Sequence, residues 1–454
     1  VKPQRTLAAL VAVALLATAC GRGGSGGEEE APAASAAAAD FGDLKGVCGP
    51  GKPAGSPAQG VTATEINVGV FTDQGFDKRP DYTTAAKVFT SWCNEAGGVN
   101  GRRVVANTRD SRLMEVRQRM LESCREDFFI VGGASALDGM GVRDRLNCLL
   151  PEFPATTTQA ENNGSDLQIS QWGGSSYSRY TGYFTWLLKE AYPGSAKAVG
   201  SLVGDSPVTK VLAEQVKETL EGVGGRFAYS DLYPVSGLAD WTPYAQAIKS
   251  RNVRGLVFYG NLTELAKLEL ALTNIGYRLD WIDANAYSYG PAFLKLAGRA
   301  IGFQNNLADL GGIHPLENAA ANPATRRLID LFEKYAPGAQ VTLGTIRSFS
   351  AFLLFAKAAA ACGNDLTRRC VFEAGRRETA WTAGGLQAPV DLSKPDAPLD
   401  CFNVERATPQ GWRPADFRPN KGAFRCGAPA YRLTRSYIKP VTLADVGKTM
   451  ADLK

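Results

Sequence analysis

The sequence predicts an α/β protein made of two successive halves, each a parallel sheet covered by helices. Two observations carry this expectation. Short β-branched strands alternate with segments of helical periodicity, and the alternation begins again after the Gly/Ser-rich stretch SQWGGSS in the middle of the chain. Size agrees, since roughly 415 residues beyond the N-terminal segment suffice for two separate cores.

In the first half, EINVGVF (65–71) is a strand by its β-branched content and alternation. Residues 82–96 carry Val88, Phe89 and Trp92 at helical spacing, and GGVNGRRVVANTRD turns at its glycines into a second strand at 103–108. A helix over 113–127 then leads into the apolar strand FFIVGG. In the second half an aromatic-rich helix is expected over 177–192. It is followed by strands KAVGSLVG (197–204), RFAYSDLY (226–233), RGLVFYG (254–260) and LDWIDANA (279–286). Helices are expected between them over 208–221, 241–250 and 263–275, the last with Thr263 as a cap and Gly276 as a stop. Asn322-Pro323 opens a helix over 323–335, and 348–361 reads as a long buried helix. Phe184 and Trp186 read as a core stripe, whereas Tyr177, just after SQWGGSS, is placed to face a cleft.

The N-terminal residues VKPQRTLAALVAVALLATAC have a basic start at Lys2 and Arg5, an apolar run from Leu7 to Ala17, and small residues before Cys20. This is the pattern of a secretory signal over 1–19, too short for a stable membrane span. Residues 20–40 offer almost nothing to bury and read as a flexible tether. Nine cysteines minus Cys20 leave Cys48, Cys93, Cys124, Cys148, Cys362, Cys370, Cys401 and Cys426, an even set suited to disulfides in an oxidising compartment. The local pairs Cys362 with Cys370 and Cys401 with Cys426 are expected. Cys93 and Cys124 on consecutive helices form a third, leaving Cys48 with Cys148.

Composition excludes several functions. The net charge of +5 is scattered, with no basic strip to follow a nucleic acid. With His314 the single histidine, in a loop, and no close CxxC pair, neither a metal site nor a cofactor is expected. There is no G-x-S-x-G elbow and no nucleophile beside His314, so an enzyme is not expected.

The small residues before Cys20 resemble the lipobox of bacterial lipoproteins, which implies a lipid on Cys20 and a location outside the cytoplasm at the cell membrane. INVGVFTD, NEAGGVNGRRVVANTRD, FFIVGGASA and GGLQAPVDLSKPDAPLDCFNV resemble the type I solute-binding proteins of ABC importers, in the branch that receives branched-chain amino acids and amides. The resemblance spans about residues 62–430. It implies two Rossmann-like lobes joined by a three-crossing hinge that close on a ligand like a flytrap, with lobe one at 41–174 and 310–388 and lobe two at 175–309 and 389–454. The partners it implies are a small organic ligand, ABC permease subunits and the membrane; a ligand sensor of the same fold is the alternative.

By place in the motifs, the implied ligand contacts are Ala134 and Ser135 after FFIVGG, then Thr156, Thr157 and Thr158 in the next loop, and Tyr177 at the crossing. Lobe two would supply Asp205, Ser206, Tyr259, Asn261, Asn285 and Tyr287. The acidic partner that amino-acid-binding relatives offer an α-ammonium is missing from YGNLTEL, where Glu264 is the nearest candidate. Trp172, Tyr177, Tyr259 and Tyr287 favour a ligand with an apolar or aromatic portion.

Overall fold

The computed structural model describes residues 40–435 and 437–454. The signal of 1–19, lipidation at Cys20 and the tether up to residue 39 lie outside the described residues.

Strands β1 (Glu65–Thr72), β2 (Arg103–Asp110), β3 (Phe129–Val131) and β4 (Glu152–Phe153) form one sheet in the order β2-β1-β3-β4. All its pairings are parallel. The turn between helix Asp81–Glu95 and β2 is GGVNGRR: Gly98 holds φ +77°, and a Cβ there would stand 2.1 Å from the Arg102 carbonyl oxygen. Only glycine fits such a left-handed, crowded position. The Arg102 side chain is buried beneath the turn, donating from Nε to the Thr62 carbonyl at 2.9 Å and from Nη2 to the Ala54 carbonyl at 3.0 Å.

Helix Leu343–Cys362 fills the core on this sheet. It is capped by Thr342, whose hydroxyl accepts from the Thr345 amide while the Thr345 hydroxyl accepts from the Thr342 amide. The helix is long and apolar enough to cross a membrane, with mean hydropathy 1.3, but 72% of that window is buried inside the protein. A helix apolar on all sides is a core helix when neighbours surround it. Here Phe352 stacks on Phe89 of helix Asp81–Glu95 at 5.1 Å, and Phe355 meets Phe129 at 5.6 Å.

The second sheet contains β5 (Val199–Gly204), β6 (Phe227–Tyr233), β7 (Gly255–Tyr259), β8 (Trp281–Asp283) and β9 (Asn306–Asp309), all parallel. Near the C-terminus lie β10 (Cys401–Phe402), β11 (Val404–Thr408), β12 (Gly411–Pro414) and β13 (Arg425–Cys426). The antiparallel hairpin β11–β12 extends the sheet to the order β12-β11-β9-β8-β7-β5-β6. The expectation of parallel central sheets therefore holds in both halves, and the hairpin adds an antiparallel edge to the second. The hairpin, wound over Thr408 to Gly411, comes from a stretch with no helical neighbour to mark it. Every residue of β5 is buried, as a central strand covered on both faces requires.

The aromatic helix expected over 177–192 starts later, at Thr181–Trp186, and continues as a π-helical turn Leu187–Ala191. Residues before it belong to the crossing: Tyr177 forms a β-bridge with Arg432. Phe184 and Trp186 are buried in the core.

The disulfides are Cys48–Cys93, Cys124–Cys148, Cys362–Cys370 and Cys401–Cys426. The two local pairs are as expected, whereas the pairings Cys93 with Cys124 and Cys48 with Cys148 are corrected. The segment before β1 folds back over the end of helix Asp81–Glu95, where the Gly49 amide donates to the Gly98 carbonyl at 2.6 Å, and so delivers Cys48 to Cys93. Cys124, on helix Val116–Glu126, then meets Cys148, which directly follows helix Val142–Asn147.

The last stretch of the chain is a strap. Leu433 donates its amide to the Ser176 carbonyl, and Val441 donates to the Glu161 carbonyl. The Leu443 amide donates to Asp166 at 2.7 Å, and the Arg369 guanidinium reaches the carbonyls of Met450 and Leu453.

Candidate functional site

The C-terminal ends of parallel strands gather loops whose backbone groups and side chains converge, so they are the place to look for a ligand. On the first sheet, Asp73 directly follows β1. Its carboxylate accepts from the Ala136 amide at 2.6 Å, the Leu113 amide at 2.9 Å, and the hydroxyls of Ser111 and Ser135. Ser135 also lies 2.9 Å from Ser111. The expected contact Ser135 is thus buried and turned toward Asp73, beside the buried Ala134. Asp73 was not among the sequence candidates; the TD that ends INVGVFTD was its only signal.

Thr156 and Thr157 are buried in the loop after β4. Thr157 donates to the Asn163 side-chain oxygen at 3.0 Å, and the same oxygen receives Arg179 Nη2 at 2.8 Å. The Thr158 amide donates to Asp138 at 2.9 Å. Burial pushes the Asp138 carboxyl up to about 7, against hydrogen bonds from Thr158, Asn162 and Gln159.

On the second sheet, several expected contacts serve their own helices. The Ser206 hydroxyl accepts from the Thr209 amide as the cap of helix Pro207–Gly222, and Asn261 caps helix Leu262–Asn274 in the same way. Asp205 is exposed and ion-paired with Lys210. Glu264 is turned to the loop after β6. Its carboxylate accepts from the Leu238 amide and the Trp241 indole, each at 2.9 Å, and pairs with Lys267 at 2.7 Å.

Tyr287 is reached by a strained step. Asn285 holds φ +62° and its side chain accepts from the Tyr287 amide at 3.1 Å, presenting a tyrosine that stays 47% exposed. Burial, then Tyr287 and Asp81, hold the hydroxyl of Tyr82, on helix Asp81–Glu95, protonated well above its ordinary range. Tyr259 is buried at the end of β7 and its hydroxyl is likewise raised, by burial and then by Tyr180 and Asp283.

Arg179 and Tyr180 of the crossing and Arg347 of helix Leu343–Cys362 act on one another electrostatically, and sequence reasoning missed the two arginines. Burial lifts the Tyr180 hydroxyl to about 12, opposed by the charges of Arg347 and Arg179. The Arg347 guanidinium lies 4.4 Å over the ring of Trp172, which is 2% exposed. An arginine inside the otherwise apolar run TIRSFSAFLLF was the signal available for it. Tyr177, expected to face the cleft, is bridged to the strap, with Arg432 at 5.7 Å over its ring.

A cavity of about 550 Å³, bordered by Gly164, Asp166, Glu373, Arg376 and Asp396 among others, contains none of these strand-end residues. His314 is half-buried against Phe424 at 4.5 Å, and burial lowers its imidazole to about 4, so it stays neutral.

A family model described as periplasmic binding protein matches residues 65–401. Among curated proteins no match was found. Solved structures match in fold. A fatty acid ABC transporter substrate-binding protein from Thermomonospora curvata has TM-score 0.66 at 18% identity, covering 86% of this chain and 98% of the other. A leucine-binding protein from Thermotoga maritima has TM-score 0.63 at 14% identity, covering 77% and 97%. A branched-chain amino acid ABC transporter protein from Thermus thermophilus with bound valine has TM-score 0.63 at 16% identity, covering 78% and 96%. With two α/β lobes and a family match over most of its length, the chain belongs to the periplasmic binding protein family, in its type I form.

Proposed function

We propose that this protein is a lipid-anchored receptor outside the cytoplasm that closes on a small organic solute and delivers it to an ABC permease, with no chemistry on the ligand. The observation that supports this reading is the periplasmic-binding-protein match over residues 65–401 on a two-lobed α/β fold. Closure of two lobes around a ligand is a shift between open and closed populations.

The lobes would be 41–174 with 310–388, and 175–309 with 389–454, the last stretch of which lies back on the first lobe. The signal over 1–19 and the thiol of Cys20 supply the anchor, and 20–40 the tether. Fatty acid, leucine and valine in the names of the structural relatives favour a ligand with an apolar portion. Its contacts are proposed among Ala134, Thr156, Tyr259 and Tyr287, with the second-lobe loops at Asp205, Ser206, Asn261 and Asn285 around them.

The test is thermal unfolding of the oxidised protein against amino acids, amides, aromatic and aliphatic acids, sugars and short peptides, followed by calorimetry. A ligand that binds only the folded state raises the melting temperature, and a rise confined to one chemical class is expected. No rise from any class, with the protein folded and free of co-purified ligand, would sink the receptor reading.

A further inference from the structure

Arg347 has no ion pair and no hydrogen bond to protein among the described residues, and its buried Nε is without a partner. Its guanidinium lies over the face of Trp172, with Nη2 beside Gly311. A guanidinium nitrogen buried without a partner is costly, and an anion that joined this half-buried arginine would offset that cost. Arg179 is half-buried nearby, and its hydrogen bond goes to the neutral amide of Asn163, with no carboxylate at ion-pair distance among the described residues. Burial lowers the Arg179 guanidinium below its ordinary value, and the Arg347 charge lowers it further. The Arg347 charge acts on Arg179, and an anion held at Arg347 would relieve both.

The acids nearby do not play that part. Asp283 is buried, accepts from the Asn285 amide at 3.2 Å, and is raised by burial to about 7. Asp309 is raised to about 7 in the same way and accepts from the Gly311 amide at 2.8 Å. Neither lies within ion-pair distance of Arg347 or Arg179. Glu264, the candidate partner for an α-ammonium, is consumed by Leu238, Trp241 and Lys267.

We propose that the solute is an organic monoanion, a carboxylate with an apolar body and no cationic amine, gripped by Arg347 and Arg179 while Trp172, Tyr82, Tyr180 and Tyr287 enclose the body. This rests on the reading of the interlobe space as the ligand site. The planar guanidinium fork suits a carboxylate, and aromatic faces suit an apolar chain or ring.

The experiment uses the oxidised chain and matched probes that differ at one group: 3-phenylpropanoate and hexanoate, their neutral amides, phenylalanine, and 3-phenylpropylamine. Calorimetry is expected to find one of the acids binding at least tenfold tighter than its amide and tighter than phenylalanine, with the amine silent. Arg347→Gln should weaken the acid tenfold or more without lowering the melting temperature of the free protein, and Arg347→Lys should recover part of the loss. An amide or phenylalanine binding as tightly as the acids overturns the anion assignment and leaves the receptor reading standing. An Arg347→Gln variant that binds the acid normally but melts lower makes Arg347 a structural residue and likewise overturns it. No binding by any probe, or by the broader solute set above, overturns both readings.

Discussion

Tyr437 donates its hydroxyl to Glu218 at 2.7 Å, fastening the C-terminal strap to helix Pro207–Gly222. The same buried carboxylate accepts from the amide and hydroxyl of Thr434 and from the Arg435 amide. Beyond this anchor the strap passes to Glu161, Asp166 and Arg369 on the side of the four-stranded sheet. These hydrogen bonds hold the Glu218 carboxyl below its ordinary range against the opposing effect of burial.

Glu218→Ala should therefore release the strap, because several donors lose one acceptor at once. A loss of roughly 2–3 kcal/mol is expected, the scale of leaving buried partners of a charged group unpaired. Limited proteolysis should cut the variant between residues 428 and 441 well before the wild type. Equal resistance of the two proteins would show that the apolar anchors Val441, Leu443 and Leu453 hold the strap unaided.

Asp73, just after β1, ties down the loops after β2 and β3 through the amides of Leu113 and Ala136. Asp73→Ala should lower stability by roughly 2–3 kcal/mol, since both amides lose their acceptor. Ser135→Ala should cost about 1 kcal/mol or less and leave ligand affinity within about threefold, because its hydroxyl is spent on Asp73 and Ser111 rather than on the cleft. Denaturant unfolding and calorimetry separate the two effects, and a tenfold loss of affinity in Ser135→Ala would show that the hydroxyl turns to the ligand.

Strand and helix alternation made the architecture legible, because an apolar run bounded by glycines, such as FFIVGG or RGLVFYG, needs no distant partner to be recognised. The hairpin β11–β12 and the pairing of Cys48 with Cys93 were not legible, since both depend on chain segments that meet only after folding. The cleft was half legible. Strand-end positions such as Tyr259 and Tyr287 follow from the fold, but Ser206, Asn261 and Asn285 belong to a residue class that caps helices and contacts ligands with the same groups. Arg347 and Arg179 were missed because the meaning of an arginine lies in the absence of a partner, which a sequence does not display.

Glu269 gives a pH signature. It is buried, accepts from Asn306 at 2.9 Å through one oxygen, and is raised by burial to about 8. Its folded value lies above that of the unfolded chain, so at intermediate pH the unfolded chain has lost this proton while the folded one keeps it. Its contribution to stability is thus greatest below about pH 4 and falls as pH rises toward about 8. Glu269→Gln keeps an acceptor for Asn306 and removes the titration. The melting temperature of the variant relative to wild type should climb between pH 5 and about pH 8. A constant difference across that range would mean that Glu269 ionises in the folded protein as it does in water.

The four cross-links differ in the loops they close. Cys48–Cys93 spans 45 residues and Cys362–Cys370 spans 8. Loop-closure entropy assigns about 4 kcal/mol to the first and about 2.5 kcal/mol to the second. The double variant Cys48→Ser with Cys93→Ser should accordingly unfold at lower denaturant than Cys362→Ser with Cys370→Ser. It should also free the segment around Gly49 from the GGVNGRR turn, raising amide exchange at Gly49, which donates to the Gly98 carbonyl, and at Gly101, which donates to the Gly49 carbonyl. Peptide mapping of the non-reduced wild type provides the independent check. Fragments joining Cys48 to Cys93 and Cys124 to Cys148 are expected, whereas a fragment joining Cys93 to Cys124 would require helix Asp81–Glu95 and helix Val116–Glu126 to face each other in another arrangement.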